Sequence, residues 1–447
     1  MLLTSPEYLF FLAIAFLAYW TLGRTRLRLL GLVTAMNLFF YWRWSWKYAL
    51  LIPMAAGIDC MIGDAIHLSR TAGRKRFLVA VSVATNVSLL LATRIVTGSW
   101  AISLSFYAFQ AMTYTIDIFR GDAKPAPSLL HHLASVTFFP TILAGPITRV
   151  SSLSSQWDRV AAPLATEMGG KGLFLIGLGA VKKFLIADYL ANNLVERVFD
   201  TPTLYSGLEV LAGVYGYAFQ LYYDFSGYTD IAIGSALLLG LKLPANFNRP
   251  YEAANVAEFW RRWHITLSNW LRDYLYFSLP GQRSRPGQYA NLVITMLLGG
   301  VWHGLQWTFL VWGGLHGVAL AATRAWQTWR GRREPGKLVI LGTTVATFHF
   351  VAFCWIFFRS ESLARAGEIL GQLASLTTAS GNVSPGFLMI LGIAAIFQFL
   401  PRGWYESVQI QFVASPAPVQ AVALALVTLG IQYTTSTGAA PFIYQKF

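Results

Sequence analysis

Uncharged apolar stretches close to the ~20 residues needed to cross a hydrocarbon core recur along the whole chain. Tyr8 to Leu22, Phe77 to Thr93, Leu338 to Phe358 and Val419 to Tyr433 are the clearest. A chain built this way takes lipid as its main solvent. The length rule predicts an all-α, polytopic integral membrane protein with about eleven to thirteen membrane segments, the middle ones poorly separated. Composition agrees: 12% of residues are charged and 55% hydrophobic, against roughly 25% charged in an ordinary soluble domain. The first stretch lacks a basic leader and a small-residue cleavage site and is followed by more spans, so it reads as a span and not as a signal peptide.

The net charge of +14 would suggest nucleic acid in a soluble protein. Here no nucleic-acid partner is expected, because the cations gather in short loops as the positive-inside rule places them. Arg24, Arg26 and Arg28 lie between the first two spans, and Arg70, Arg74, Lys75 and Arg76 two spans later. Arg324, Arg330, Arg332, Arg333 and Lys337 form a third cluster. Setting these on the cytoplasmic side puts the N-terminus outside, and Trp42, Trp44 and Trp46 then suit an aromatic belt at the opposite interface. Cys60 and Cys354 fall inside apolar runs and read as small buried hydrophobes, so neither a disulfide nor a metal site is expected. With no long linker, low-complexity tract or fixed repeat, residues 1–447 read as a single membrane-embedded domain.

Soluble-enzyme signatures are missing: no G-x-S-x-G elbow, H-E-x-x-H pair, phosphate loop or dinucleotide fingerprint occurs. Hydrolase, zinc protease and nucleotide-driven pump lose ground accordingly. What stands out is polarity where polarity is costly. His303, in Leu297-Leu298-Gly299-Gly300-Val301-Trp302-His303-Gly304, lies between two apolar runs and so at membrane depth, where an ionisable group needs a reason. Histidine exchanges protons near neutral pH, and the flanking glycines permit close approach; a hydrogen-bonded packing histidine is the competing reading. His316, thirteen residues on, lies well round the helix from His303, so an i,i+4 metal pair is excluded and a structural role fits it better.

Asp224, Ser226 and Asp230 fall within an apolar stretch from Val210 to Leu241. Buried carboxylates need partners, and Arg249 or the Arg261–Arg262 pair are the candidates, in either a structural network or a substrate contact. Between Asn255 and Phe277, Val256, Trp260, Trp263, Leu267, Trp270, Leu271 and Tyr274 recur at helical spacing, predicting one amphipathic helix at the membrane interface. Glu258 and Arg262, four apart, suit an ion pair, and His264 borders the apolar stripe. Pro140 and Gly145-Pro146 interrupt another apolar segment, as in a broken or re-entrant helix.

Taken in order, these motifs resemble the membrane-bound O-acyltransferase superfamily, in its bacterial alginate O-acetyltransferase-like branch. The resemblance runs through Ser105-Phe106-Tyr107-Ala108-Phe109-Gln110, Tyr114-Thr115-Ile116-Asp117, Phe139-Pro140, Ala144-Gly145-Pro146-Ile147 and Asp224-Phe225-Ser226-Gly227-Tyr228. It continues through Asn248-Arg249-Pro250-Tyr251, Phe259-Trp260-Arg261-Arg262-Trp263-His264, Leu271-Arg272-Asp273-Tyr274, Trp302-His303-Gly304, Phe353-Cys354-Trp355-Ile356-Phe357-Phe358-Arg359 and Pro441-Phe442-Ile443-Tyr444. Two departures are visible: Thr141 stands where the family often has glutamine, and Ser278 to Gln288 lacks the usual Pro-Leu-Gly-Gly form.

The resemblance implies a ring of tilted transmembrane and re-entrant helices, and acyl transfer from a thioester to a hydroxyl. His303 matches the family's signature histidine and His264 the second histidine of bacterial members. As general base, His303 must be neutral, which burial favours. Asp224, Ser226, Asn248, Arg249, Arg261, Arg262, Asn269 and Trp302 form the candidate substrate-binding set, with His264, Asn269 or an arginine orienting the thioester or donating to the oxyanion. No bound cofactor is expected; the acyl thioester, acetyl-CoA or an acyl carrier protein, is the donor substrate. The implied setting is the bacterial cytoplasmic membrane, with a glycan acceptor or a separate extracytoplasmic protein that takes the acyl group first. Two other classes compete: a polysaccharide or lipid exporter with an intramembrane Asp/His relay, and a non-catalytic scaffold for a secreted transferase. The crowding of motifs between His131 and His316, without the paired halves of a transporter, favours the enzyme.

Overall fold

A computed structural model describes residues 2–43, 45–97, 102–157, 164–331 and 335–434. Trp44, Arg332, Arg333 and Pro441-Phe442-Ile443-Tyr444 lie outside the described residues. All regular structure among the described residues is helical, as it must be where no water satisfies the backbone. Serine and threonine punctuate the helices: Ser5, Thr25, Ser128, Ser284, Ser362 and Ser384 each accept a backbone N–H of the first turn, the ordinary N-cap device.

The first helices are α1 (Pro6–Leu22), α2 (Arg26–Trp42), α3 (Trp46–Leu68), α4 (Ala72–Thr97) and α5 (Ile102–Arg120), followed by the short α6 (Leu129–Val136), α7 (Phe139–Ile142) and α8 (Val150–Ser154) and by α9 (Thr166–Ala180). Two π-helical stretches, Val181–Ala187 and Ala191–Val195, flank α10 (Asp188–Leu190) and lead into α11 (Glu196–Asp200). Then come α12 (Gly207–Leu238), α13 (Val256–Arg262), α14 (Ile265–Trp270), α15 (Arg285–His303), α16 (Trp307–Arg330), α17 (Lys337–Arg359), α18 (Leu363–Ala374), α19 (Pro385–Phe399), α20 (Arg402–Ala414) and α21 (Ala417–Thr434).

Among the described residues, Ala49–Leu68, Ala72–Ala92 and Lys337–Arg359 are long and apolar enough to cross a membrane unbroken, and α19 with α20, bent by 94°, make a fourth span or a re-entrant pair. Unbroken spans are thus fewer than the segments counted from apolar runs. Much of the remaining apolar sequence is cut into shorter helices or, as in α12, carries buried carboxylates and hydroxyls. The protein is a multi-pass membrane protein of this interrupted kind.

The chain divides into two compact units: Met1–Ala180 with Tyr228–Ala245 and Gln409–Gln420, and Val181–Gly227 with Asn246–Val408 and Ala421–Phe447. In the first, Tyr8, Phe11, Phe40 and Phe139 form an aromatic core with ring centroids 5.1–6.3 Å apart. The expected interruption falls at Thr137-Phe138, between α6 and α7, with Pro140 in the first turn of α7. The Asn37 side chain bridges it, donating to Thr137 Oγ1 and accepting from the Phe139 N–H. A Cβ on Gly145 would lie 2.2 Å from the Pro140 carbonyl oxygen, so the turn admits glycine alone. Thr141, where the family pattern often has glutamine, accepts a hydrogen bond from Gln110. Arg24 and the N-cap Thr25 sit at the α1–α2 turn and Arg70 at the α3–α4 turn, while Trp42 and Trp46 are exposed. Cys60 and Cys354 are free and buried.

In the second unit, α15 and α16 form a hairpin whose backbones nearly touch. A Cβ on Gly300 would meet the Phe309 carbonyl oxygen at 2.4 Å, one on Gly313 the Met296 carbonyl oxygen at 2.4 Å, and one on Gly317 the Val293 Cα at 2.8 Å. Small residues four apart on facing helices are how apolar helices pack closely in lipid. Around this hairpin Trp260, Trp263, Trp312, Trp355 and Phe358 are all nine-tenths or more buried.

Candidate active site

His303 is the last residue of α15, and Gly304 begins the short turn into α16. The missing side chain at Gly304 leaves room for the Phe309 ring, which a Cβ there would meet at 2.5 Å. The imidazole is 8% exposed and caged by Trp302, Phe358, Trp312 and Phe309, with centroids at 4.5, 4.9, 5.2 and 6.0 Å.

The continuous amphipathic helix expected from Asn255 to Phe277 is not formed. The segment runs as α13, a break at Trp263-His264, α14, a π-helical stretch Leu271–Leu275 and a 3-10 turn Tyr276–Ser278. The apolar stripe survives the break, since Val256, Trp260, Trp263, Leu267, Leu271 and Tyr274 are buried. The break is set by His264, whose φ of 41° is left-handed, a conformation that costs a non-glycine residue about 1–3 kcal/mol and turns its side chain inward to 1% exposure. Asn246 Oδ1 accepts from the Thr266 N–H and hydroxyl and lies 3.1 Å from His264 Nδ1. Because a backbone N–H can only donate, that atom is the amide oxygen, Nδ1 carries the proton, and the lone pair of neutral His264 is on Nε2. The Phe225 ring meets the imidazole edge-on at 4.7 Å. His264 and His303 both lie in the second unit, each nine-tenths or more buried.

Asp224 is buried, as expected, but its partner is neither Arg249 nor the Arg261–Arg262 pair. Lys183 Nζ lies 2.9 Å from Asp224 and 2.8 Å from Asp188, all three side chains being at most 4% exposed. Neighbouring Lys182 donates to Ser226 Oγ at 2.8 Å. Arg249 and Arg262 are engaged elsewhere. Arg249 pairs with Glu252 (3.2 Å), and Arg262 with Glu252 (3.3 Å) and, as the four-residue spacing predicts, with Glu258 (2.6 Å). Asn248 accepts from Arg402 at 3.2 Å. Arg261 and Asn269 are exposed, and Trp302 is half-buried against His303. Of the expected set, then, Trp302 packs on His303, and His264 packs on Phe225, the sequence neighbour of Asp224 and Ser226; Asn248, Arg249 and Arg262 form a separate polar girdle.

His316 is fully buried, accepting from Trp260 Nε1 at 3.2 Å and stacked on Phe259, which fits its structural reading. Sequence reasoning missed Lys182, Lys183, Asp188 and Asn246. Two adjacent lysines within the apolar run from Gly172 to Leu190 were the available signal, since cations at membrane depth call for partners.

Residues 122–358, which hold both histidines and the lysine–aspartate cluster, match the sequence model of the membrane-bound O-acyltransferase family. The chain is similar to a probable alginate O-acetylase of Azotobacter vinelandii, 35% identical over 84% of this chain and 78% of the relative. It is similar to a peptidoglycan O-acetyltransferase of Helicobacter pylori, 34% identical over 85% of this chain and 81% of the relative. A teichoic acid D-alanyltransferase of Bacillus subtilis is 30% identical over 58% of this chain and 69% of its own length.

Proposed function

The chain belongs to the membrane-bound O-acyltransferase family and is an O-acyltransferase, and from that premise we propose the transfer it performs. An acyl group, acetyl in the first instance, passes from a thioester made in the cytoplasm to a hydroxyl outside. The acceptor is a glycan, or a separate extracytoplasmic protein that takes the acyl group and hands it on. Acetyl is favoured because the relatives matched over most of their length are named for acetyl transfer to alginate and peptidoglycan. The donor is acetyl-CoA or an acyl carrier protein, the location is the bacterial cytoplasmic membrane, and residues 1–447 act as one catalytic domain.

His303 is the general base in this reading. It removes the proton of the acceptor hydroxyl as that oxygen attacks the thioester carbonyl carbon. The C–O bond forms, the tetrahedral intermediate collapses, the C–S bond breaks, and the departing thiolate takes the proton back from His303. Two features support the assignment. His303 ends a helix, where unpaired carbonyls stabilise a cation by about 0.3–1 kcal/mol, so the imidazolium formed in the step is favoured. Its aromatic cage also limits water, which would otherwise hydrolyse the donor. His264, held in one tautomer by Asn246, orients the reacting groups. The observation that supports the proposal most is the aromatic cage that buries His303 at a helix end, in the same unit as a second buried histidine of fixed tautomer. The test is turnover of a radiolabelled acyl thioester by His303→Gln in nanodiscs. Loss of about 10²- to 10⁴-fold with unchanged monodispersity and melting temperature is expected, and wild-type turnover refutes the assignment.

A further inference from the structure

In the aromatic shell around His303, two of the indole N–H groups are hydrogen-bonded. Trp260 Nε1 donates to His316 (3.2 Å), Trp355 Nε1 to the Tyr251 hydroxyl (3.3 Å), and that hydroxyl to the Ala218 carbonyl (2.6 Å). Trp312 is 2% exposed, its ring stands edge-on to His303 at 5.2 Å, and its Nε1–H has no hydrogen-bond partner among the described residues. One turn earlier on the same face of α16, Thr308 is 1% exposed and its Oγ1 is likewise without a partner. This face meets His303, because Phe309 and Trp312, three apart, both contact the imidazole. Thr308 lies in the first turn of α16, where no helical carbonyl stands four residues back to receive its hydroxyl.

An indole N–H can only donate, and burying it unsatisfied costs about 1–3 kcal/mol. Two such donors one turn apart, on the helix face that meets the base, are what acyl transfer requires to stabilise its oxyanion. We propose that Trp312 Nε1–H and Thr308 Oγ1–H form the oxyanion site, receiving the thioester carbonyl oxygen as it gains charge. The proposal rests on His303 being the base. As the acceptor oxygen bonds to the carbonyl carbon, the C=O electron pair moves onto oxygen and both donors bond to it. When the C–S bond breaks, the pair returns to form the ester carbonyl, and the thiolate leaves with the proton from His303. His316, one turn further along α16, is not part of this pair; it packs against Trp312 at 5.2 Å and fixes the indole.

The experiment compares Trp312→Phe, Thr308→Val, the double variant and His303→Gln in nanodiscs, measuring kcat, KM for the acyl thioester and melting temperature. Loss of one oxyanion donor typically costs about 10²- to 10³-fold in kcat, so Trp312→Phe is expected to lose that much with KM and melting temperature nearly unchanged. Thr308→Val should lose less, and the double variant less than the product of the singles, because both donors serve one oxygen. A kcat within about threefold of wild type for Trp312→Phe overturns the proposal. If Trp312→Phe lowers the melting temperature, the near-isosteric Thr308→Val decides: unchanged kcat there overturns the oxyanion pair. Full activity of His303→Gln refutes the base, whereas an inactive His303→Gln beside a fully active Trp312→Phe overturns only the donor assignment.

Discussion

Replacing Lys183 with methionine removes an ammonium placed between Asp188 and Asp224, at 2.8 and 2.9 Å. At an effective dielectric of ~20, each contact carries a gross attraction of about 6 kcal/mol, most of it offset by the cost of taking the charges out of water. What deletion exposes is that cost: losing one partner of a buried ion pair destabilises by about 3–5 kcal/mol, a large share of the roughly 5–15 kcal/mol that holds a domain folded. Asp224→Asn is the informative companion. It leaves the Lys183–Asp188 contact in place and forfeits one charge-assisted hydrogen bond, about 1.5–3 kcal/mol. The expected order of melting temperature and monodisperse yield in detergent is wild type, then Asp224→Asn, then Lys183→Met. Turnover per folded molecule of Asp224→Asn should stay near wild type, because the carboxylate serves the fold. A Lys183→Met protein as stable as wild type refutes the reasoning. So does an Asp224→Asn protein of full stability whose KM for the thioester rises, since Asp224 would then be a substrate contact.

Arg74→Cys is expected to resist an impermeant maleimide in intact cells and to react after permeabilisation, because the basic α3–α4 turn belongs on the cytoplasmic side; labelling in intact cells reverses the orientation. Gly317→Leu should lower melting temperature and activity together, by about 1–3 kcal/mol of overpacking, since the new Cβ falls 2.8 Å from the Val293 Cα. Gly314→Ala, whose Cβ would find only a Leu297 methyl at 3.7 Å, should be tolerated, and equal melting temperatures for the two variants would mean that the helices do not pack through Gly317.

The helical, lipid-solvated character of the chain was legible because run length and basic loops report directly on the bilayer. So were the Glu258–Arg262 pair, which obeys helical spacing, and the interruption at Pro140 and Gly145-Pro146, where residue type dictates backbone shape. The break at His264 was not. The stripe from Val256 to Tyr274 stays buried whether or not the helix is continuous, so periodicity cannot register a left-handed residue in its midst. Asp224 was rightly read as needing a partner. Lys183, 41 positions earlier, cannot be matched to it by any local rule, and the nearer arginines are satisfied by glutamates. His303 drew attention as polarity in a costly place and His264 through the resemblance, whereas nothing in the sequence sets Trp312 apart from the other aromatics of the chain.

The contact between Lys183 and Asp188 also carries a lesson about counting. The two are five positions apart, and five steps of an ordinary α-helix leave side chains about 140° apart round the axis, on nearly opposite sides. They meet because Val181–Ala187 is wound as a π-helix, in which bonding reaches from i to i+5 and one extra residue is taken up per turn. A single-residue deletion between Phe184 and Ala187 would set Lys183 and Asp188 four positions apart, a spacing that ordinary α-winding already holds on one face; the wide turn is what lets a five-residue spacing do the same. In a relative one residue shorter at this point, ordinary winding would keep the same two side chains facing each other, so a one-position gap there marks a change of winding and not the loss of the pair.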